Sequence, residues 1–229
     1  MEKSRKKLVT SAALLAAFAL WTVIVTFVDV QDIGPQGSRV GLARLNGFVH
    51  ELTGVHMALY VLTDWLSLLP VGICLGFGLL GLGQLIGRKS IRKVDCDIVL
   101  LGGFYIAVMA AYLIFECMVV NYRPVLIDGR LEASYPSSTT MLVLCVMTTA
   151  KMQIGRRMPD GALRKSLLAL TAMFTVFMMG ARMISGVHWL SDIIAGALLG
   201  GALIVLYDGF CELMEQGRED HGDHRSYLL

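Results

Sequence analysis

Long apolar runs separated by short polar stretches constrain this chain more than any other feature. Residues 8–28, 61–86 and 98–120 each hold about 20 residues or more with at most one Asp, Glu, Lys or Arg. A helix of that length covers the ~30 Å hydrocarbon core of a bilayer. In lipid, only a structure that satisfies its own backbone hydrogen bonds can cross. Three further runs, at 139–154, 166–183 and 189–206, bring the count to six. The composition agrees: 55% of the 229 residues are hydrophobic and only 17% charged, and the mean hydropathy is +0.65. The expectation is an all-α, polytopic helical bundle of about six transmembrane helices. Residues 1–217 form its single membrane domain, and 218–229 form a short charged cytoplasmic tail.

The first apolar run, Leu8 to Val28, is too long for the core of a secretion signal and lacks a cleavage-like end, so it reads as retained. The segment 29–39 is polar, with Gly34-Pro35 as a turn. The stretch from Val40 to Tyr60 reads as an amphipathic helix lying at the interface. Its His50 and His56 are six apart and share no helical face well, so they read as interfacial polar residues. The five cysteines are scattered and form no CxxC pair, which suggests neither a disulfide framework nor a zinc site. Met173, Met178, Met179 and Met183 read as flexible core packing. No metal, cofactor or nucleic-acid signal is present.

With six spans both termini fall on one side. That side receives 15 of the 20 Lys and Arg, at the N-terminus, in the loops at 88–93 and 151–165, and in the tail. Arg39, Arg44, Arg123, Arg130 and Arg182 are left for the other. Cytoplasmic loops carry the excess of basic residues. The charge count therefore places the termini in the cytoplasm, and residues 121–138 and 181–192 together on the outer face. Length and simple topology suggest the inner membrane of a bacterium.

Those two outer segments carry the chemistry-bearing residues. His188 and Asp192 are four apart, so on a helix they share a face. A carboxylate there can hold one ring N–H, fix the tautomer and free the other nitrogen. Arg182 offers a planar fork of donors suited to phosphate. Alone, His188 and Asp192 read equally well as a structural pair at a membrane interface. The second segment adds Asn121-Tyr122-Arg123-Pro124 and Tyr135-Pro136-Ser137-Ser138-Thr139-Thr140. A proline before hydroxyl residues at a helix start leaves backbone N–H groups facing an anion, although helix capping is the ordinary use of such serines.

Arg123-Pro124, Pro136-Ser137-Ser138-Thr139 and Arg182-x5-His188-x3-Asp192 resemble the three-part signature of the type 2 phosphatidic acid phosphatase superfamily. That pattern runs Lys-x6-Arg-Pro, Pro-Ser-Gly-His, then Ser-Arg-x5-His-x3-Asp. The resemblance spans residues 116–192, and the six-span layout matches the integral-membrane branch. It implies that His188 is the nucleophile, forming a phosphohistidine, and that Asp192 orients it. Arg123, Arg182, Ser137, Ser138 and Thr139 would hold the phosphate oxygens, without a metal or cofactor.

The chain departs from the pattern at four positions: Glu116 for the lysine, Ser138 for the glycine, Thr139 for the histidine and Ala181 for the serine. The histidine is the family's general acid, a function typically worth about 10²–10⁴-fold. Glu116, an acid within a span, and Tyr135 are candidate modulators; Tyr135, Asp128 or Glu132 could also supply a proton, which would remove any preference for a substrate with a good leaving group. Three readings remain open. The chain is a lipid phosphatase acting on a lipid phosphate or polyprenyl diphosphate; or a phosphotransferase using the same intermediate; or a catalytically silent member that binds a phospholipid head group. Loss of the general acid favours a diphosphate, whose leaving group needs less protonation. In each reading the partner is a membrane lipid.

Overall fold

The computed structural model describes residues 2–226, with side chains described for 2–217. Eight α-helices follow in order: α1 (Glu2–Phe27), α2 (Ala43–Thr53), α3 (Met57–Leu66), α4 (Leu68–Arg88), α5 (Cys96–Cys117), α6 (Ser138–Arg157), α7 (Ala162–Ile184) and α8 (Leu190–Ser226). The all-helical class expected from hydropathy is what is found. The last helix runs through most of the charged tail, whose side chains at 218–229 lie outside the described residues.

Among the described residues, five helical stretches are long and apolar enough to cross a membrane: Glu2–Phe27, Met57–Arg88, Cys96–Cys117, Ala162–Ile184 and Leu190–Gly217. The run expected at 61–86 is thus longer and is broken in two. Pro70 cannot donate to the carbonyl four residues earlier, Leu66, so α3 ends there and α4 begins two residues on. The single interfacial helix expected over 40–60 is instead α2, a break at Gly54-Val55-His56 and the start of α3.

The remaining long helix, α6, is too polar to stand beside those five on composition. Its position explains the polarity. It packs against α7 and α8, and also against α4 and α5, and half of its residues are buried. Its polar groups meet partners inside the bundle: Thr149 pairs with the Tyr105 hydroxyl (3.0 Å), and Gln153 donates to that of Tyr207 (3.1 Å). Polar residues between helices are tolerated where each finds a partner. At its end, Arg157 pairs with Asp95 (3.0 Å) and Asp97 (2.7 Å), beside the start of α5. Arg88 and Arg157 hold the Asp95 carboxyl down to about 2, so this tie stays charged at neutral pH. At its beginning, Ser137 donates its backbone N–H to the Asp192 carbonyl at the start of α8 (3.0 Å). α6 therefore covers the same thickness as its apolar neighbours.

α8 is the spine. α1 lies along it, tied by Ser11 to the Ala202 carbonyl (2.9 Å) and by Lys7 to Asp208 and Glu212 (2.8 Å each). On its other side α8 meets α6 closely at Gly196, where an added Cβ would stand 2.7 Å from the Ser137 carbonyl oxygen. The outward faces of α4, α5 and α7 are apolar and exposed, as lipid-facing surfaces must be: Leu75, Leu79, Ile106 and Val176 are examples. Replacing Gly196 with Leu is expected to force α6 off α8. In detergent, thermal unfolding should show a destabilisation of roughly 1–3 kcal/mol; an unchanged midpoint would mean that the two helices are not held this close.

Candidate functional site

At the end of the bundle where α6 and α8 begin, four segments converge: α2, α3, the loop 118–137 and the α7–α8 turn. The turn is made by Gly186, at φ +69°, where any Cβ would run into the Gly54 carbonyl. The neighbouring Ser185 carbonyl accepts the His56 N–H (3.0 Å), which fastens α3 to the turn. The loop folds back on itself, with Tyr122 bridged to Ala133 and Ile127 to Arg130. Asp128 and Gly129 both have positive φ at its tip, the arrangement of a type I′ turn and a known Asp-Gly preference.

Asp192 is fully buried. Its Oδ2 accepts the Trp189 N–H (3.0 Å), and its Oδ1 accepts from Asn121 and the Ser191 hydroxyl (3.4 Å each). The first of these is the reach-back of a capping box, three residues into α8. Asn46 on α2 accepts the Ser191 N–H (3.1 Å) and donates to its hydroxyl (2.9 Å). Trp189 donates its ring N–H to the Tyr122 carbonyl (2.7 Å). The start of α8 is thereby held to both α2 and the loop.

His188 is buried between Asp192 and Arg123. Its Nδ1 faces Asp192 Oδ2 at 3.7 Å, beyond hydrogen-bond length, and its Nε2 lies 3.3 Å from Arg123 Nη1. A guanidinium can only donate. Nε2 must therefore be the acceptor, which leaves the ring proton on Nδ1, facing the carboxylate. Burial pushes the imidazole down to about 4; Asp192 opposes that, and Arg123 and Arg182 add to it. At neutral pH the ring is uncharged, and its Nε2 lone pair accepts the Arg123 N–H.

Arg182 is only 2% exposed. It has no carboxylate within ion-pair distance among the described residues. Its Nη1 donates to Thr63 Oγ1 (3.2 Å), its Nε has no partner, and its Cζ stands 5.0 Å from the centre of the Tyr60 ring. Arg123 lies 6.0 Å from the same ring, and its Nε pairs with the half-exposed Glu132 (3.1 Å). A buried cation without a counter-ion costs several kcal/mol. One such cation, with a second that shares its charge with Glu132, beside one neutral imidazole makes a site suited to an anion.

The room for that anion is a cavity of about 480 Å³, with Arg123, His188, Ser138, Tyr135, Glu116 and Glu132 in its wall. Beyond it, between α4, α5 and α6, lies an apolar cavity of about 330 Å³ that shares Tyr112, Ser138 and Met141 with the first. The expected residues divide across these spaces. Ser137 does not line the polar cavity. It is the N-cap of α6, fully buried, its hydroxyl oxygen taken by the Thr140 N–H and hydroxyl, while Ser138 forms the wall. Thr139 lines the apolar cavity. The Tyr135 hydroxyl is bound to Thr22 (2.7 Å), and burial pushes it up to about 12, which fits it poorly for proton transfer. Glu116 lines the cavity and has no hydrogen-bond or ion-pair partner among the described residues. No group of three or more His, Cys, Asp or Glu able to hold a metal is found among the described residues. Tyr60, Thr63 and Asn46 complete the site without any motif to mark them.

The imidazole can be tested directly. With ¹⁵N-histidine labelling and His188→Gln to assign the signal, His188 is expected to stay neutral, with the proton on Nδ1, down to a midpoint near pH 4. Removing a neighbouring cation in Arg123→Gln should raise that midpoint. An imidazolium at pH 5.5 in the unsubstituted protein would contradict the burial described.

Residues 119–209 match the model of the PAP2 superfamily. Among solved structures, the chain is similar to a transmembrane PAP2-type phosphatidylglycerolphosphate phosphatase from Bacillus subtilis, at 19% identity and a TM-score of 0.56, over 88% of this chain and 96% of that one. No curated protein matches. At 19% identity that likeness speaks for the fold alone. It extends beyond the matched region to nearly the whole helical bundle.

Proposed function

We propose that the protein is a membrane lipid phosphatase that works through His188. The observation that carries this reading is the placement of His188, with Nδ1 facing Asp192 and Nε2 facing Arg123, beside a buried Arg182 that lacks a counter-ion. A phosphoryl group entering the 480 Å³ cavity displaces Glu132 from Arg123, and Arg182, which lies outside the cavity wall, adds its charge from beside His188. As Arg123 turns its N–H groups to the phosphoryl oxygens, the Nε2 lone pair is released and attacks phosphorus, and the bond to the leaving oxygen breaks, giving a phosphohistidine. Asp192 stabilises the positive charge that the ring acquires. The two guanidiniums, with Ser138 and the first N–H groups of α6, hold the charge spread over the phosphoryl oxygens. Water then attacks the same phosphorus, releases inorganic phosphate and returns His188 to its neutral form.

The adjoining apolar cavity supports a lipid as the carrier of that phosphate. Thr139 cannot donate a proton at neutral pH, Tyr135 is engaged elsewhere, Asp128 does not line the cavity and Glu132 is ion-paired to Arg123, so the leaving oxygen has little help. A polyprenyl diphosphate, from which a lipid monophosphate departs, suits such a site better than a lipid monophosphate, from which an alkoxide must leave. The basic residues cluster at the opposite end of the bundle, which supports a site on the extracytoplasmic face of a cytoplasmic membrane.

Phosphate release from a polyprenyl diphosphate, phosphatidate and phosphatidylglycerol phosphate separates the readings. Release from the diphosphate is expected to be fastest. It should fall roughly 10³-fold or more in His188→Ala and about 10²–10³-fold in Arg182→Ala. No release from any lipid, with lipid binding that weakens in Arg182→Ala, would make the protein a silent head-group binder. Transfer of the phosphoryl group to an alcohol in preference to water would make it a phosphotransferase.

A further inference from the structure

Tyr60 and Thr63 are three residues apart on α3 and share one helical face. That face is turned to the two arginines. The Tyr60 ring centre is 5.0 Å from Arg182 Cζ and 6.0 Å from Arg123 Cζ. Thr63 is fully buried; its hydroxyl proton goes to the Leu59 and Tyr60 carbonyls (3.0 and 2.9 Å), which leaves the oxygen free to accept from Arg182 Nη1 at 3.2 Å. Neither group carries charge. A carboxylate in either place would hold the guanidinium more tightly, but it would also neutralise it and compete with an incoming phosphate. A π-face and a hydroxyl orient a cation and leave its charge available to a ligand. The same ring attracts both guanidiniums, so it also offsets their mutual repulsion. The His56 N–H to the Ser185 carbonyl (3.0 Å) sets α3 in register with the turn that bears His188.

We propose that Tyr60 and Thr63 are positioning residues that hold Arg182, and through the shared ring Arg123, at the phosphoryl site without cancelling their charge. The inference rests on the reading that these arginines bind a phosphoryl group. It says that the binding strength for that group is set partly from α3, a helix outside the three motifs.

The test uses the full chain in detergent, with inorganic phosphate as the probe in titration calorimetry and phosphate release from the lipid panel as a second readout. Tyr60→Phe keeps the ring and Thr63→Ser keeps the hydroxyl, so both should bind phosphate within about twofold of the unsubstituted protein. Tyr60→Leu and Thr63→Val should each weaken binding about tenfold, raising KM for the lipid more than they lower kcat. Thr63→Val nearly conserves volume, so it remains decisive if Tyr60→Leu does not fold. Leu and Val variants that bind phosphate as tightly as the unsubstituted protein would overturn the proposal. So would a Phe variant as weak as the Leu one, because the ring would then not be the determinant. Failure of the phosphatase reading looks different: phosphate binding would keep its dependence on Tyr60 and Thr63 while no lipid is hydrolysed.

Discussion

Two guanidiniums next to one uncharged imidazole, with one half-exposed carboxylate paired to the first of them, are the constraint on which the rest of this structure depends. Arg182 is buried without an ionic partner, and Arg123 shares its charge with Glu132 at the cavity wall. Such a cluster is costly unless the surroundings hold it and leave room for an anion. The structure has both the holding groups and the room. Neutral groups, the Tyr60 ring and the Thr63 hydroxyl, hold the arginines. The cavity in front of His188 is where an anion fits.

The helical bundle makes that arrangement possible. The site needs a polar helix start, the Ser137–Ser138 end of α6, brought against the start of α8. In a membrane this is permitted only if the polar side chains along α6 are satisfied by its neighbours. Tyr105 and Tyr207 meet Thr149 and Gln153, and α1, α4, α5 and α7 present apolar faces to the lipid. Gly196 then lets α8 approach closely enough for Asp192 to sit behind His188. The charged tie of Arg157 to Asp95 and Asp97 fastens the opposite end.

Much of this was legible in the sequence, and what was not has a physical reason. Hydropathy marks the apolar spans because a lipid-facing helix is apolar over most of its surface. It is weakest on α6, whose composition is set by helix neighbours rather than lipid. The His188/Asp192 spacing and both arginines are local patterns, and the fold brings them together as they imply. Ser137 was legible only in part. The same hydroxyl serves a cap or a phosphate, and its bonds with Thr140 show the cap. The break between α3 and α4 follows from Pro70, and the reversal at 121–134 from Asp128-Gly129, both readable signals. Tyr60, Thr63 and Asn46 are different. Each matters through a partner more than a hundred residues away, Arg182 or Ser191, and no single-sequence pattern carries that pairing.

The central claim is that His188 itself takes the phosphoryl group. The most direct measurement is to mix the protein with a polyprenyl diphosphate labelled with ³²P in its terminal phosphate, quench with alkali within the first turnover, and map the label. The account predicts a base-stable, acid-labile label on the peptide that carries His188, absent from His188→Ala and accumulating in Asp192→Asn only at a slower rate. Rapid phosphate release with no label on His188, under conditions where the quench preserves phosphohistidine, would contradict it.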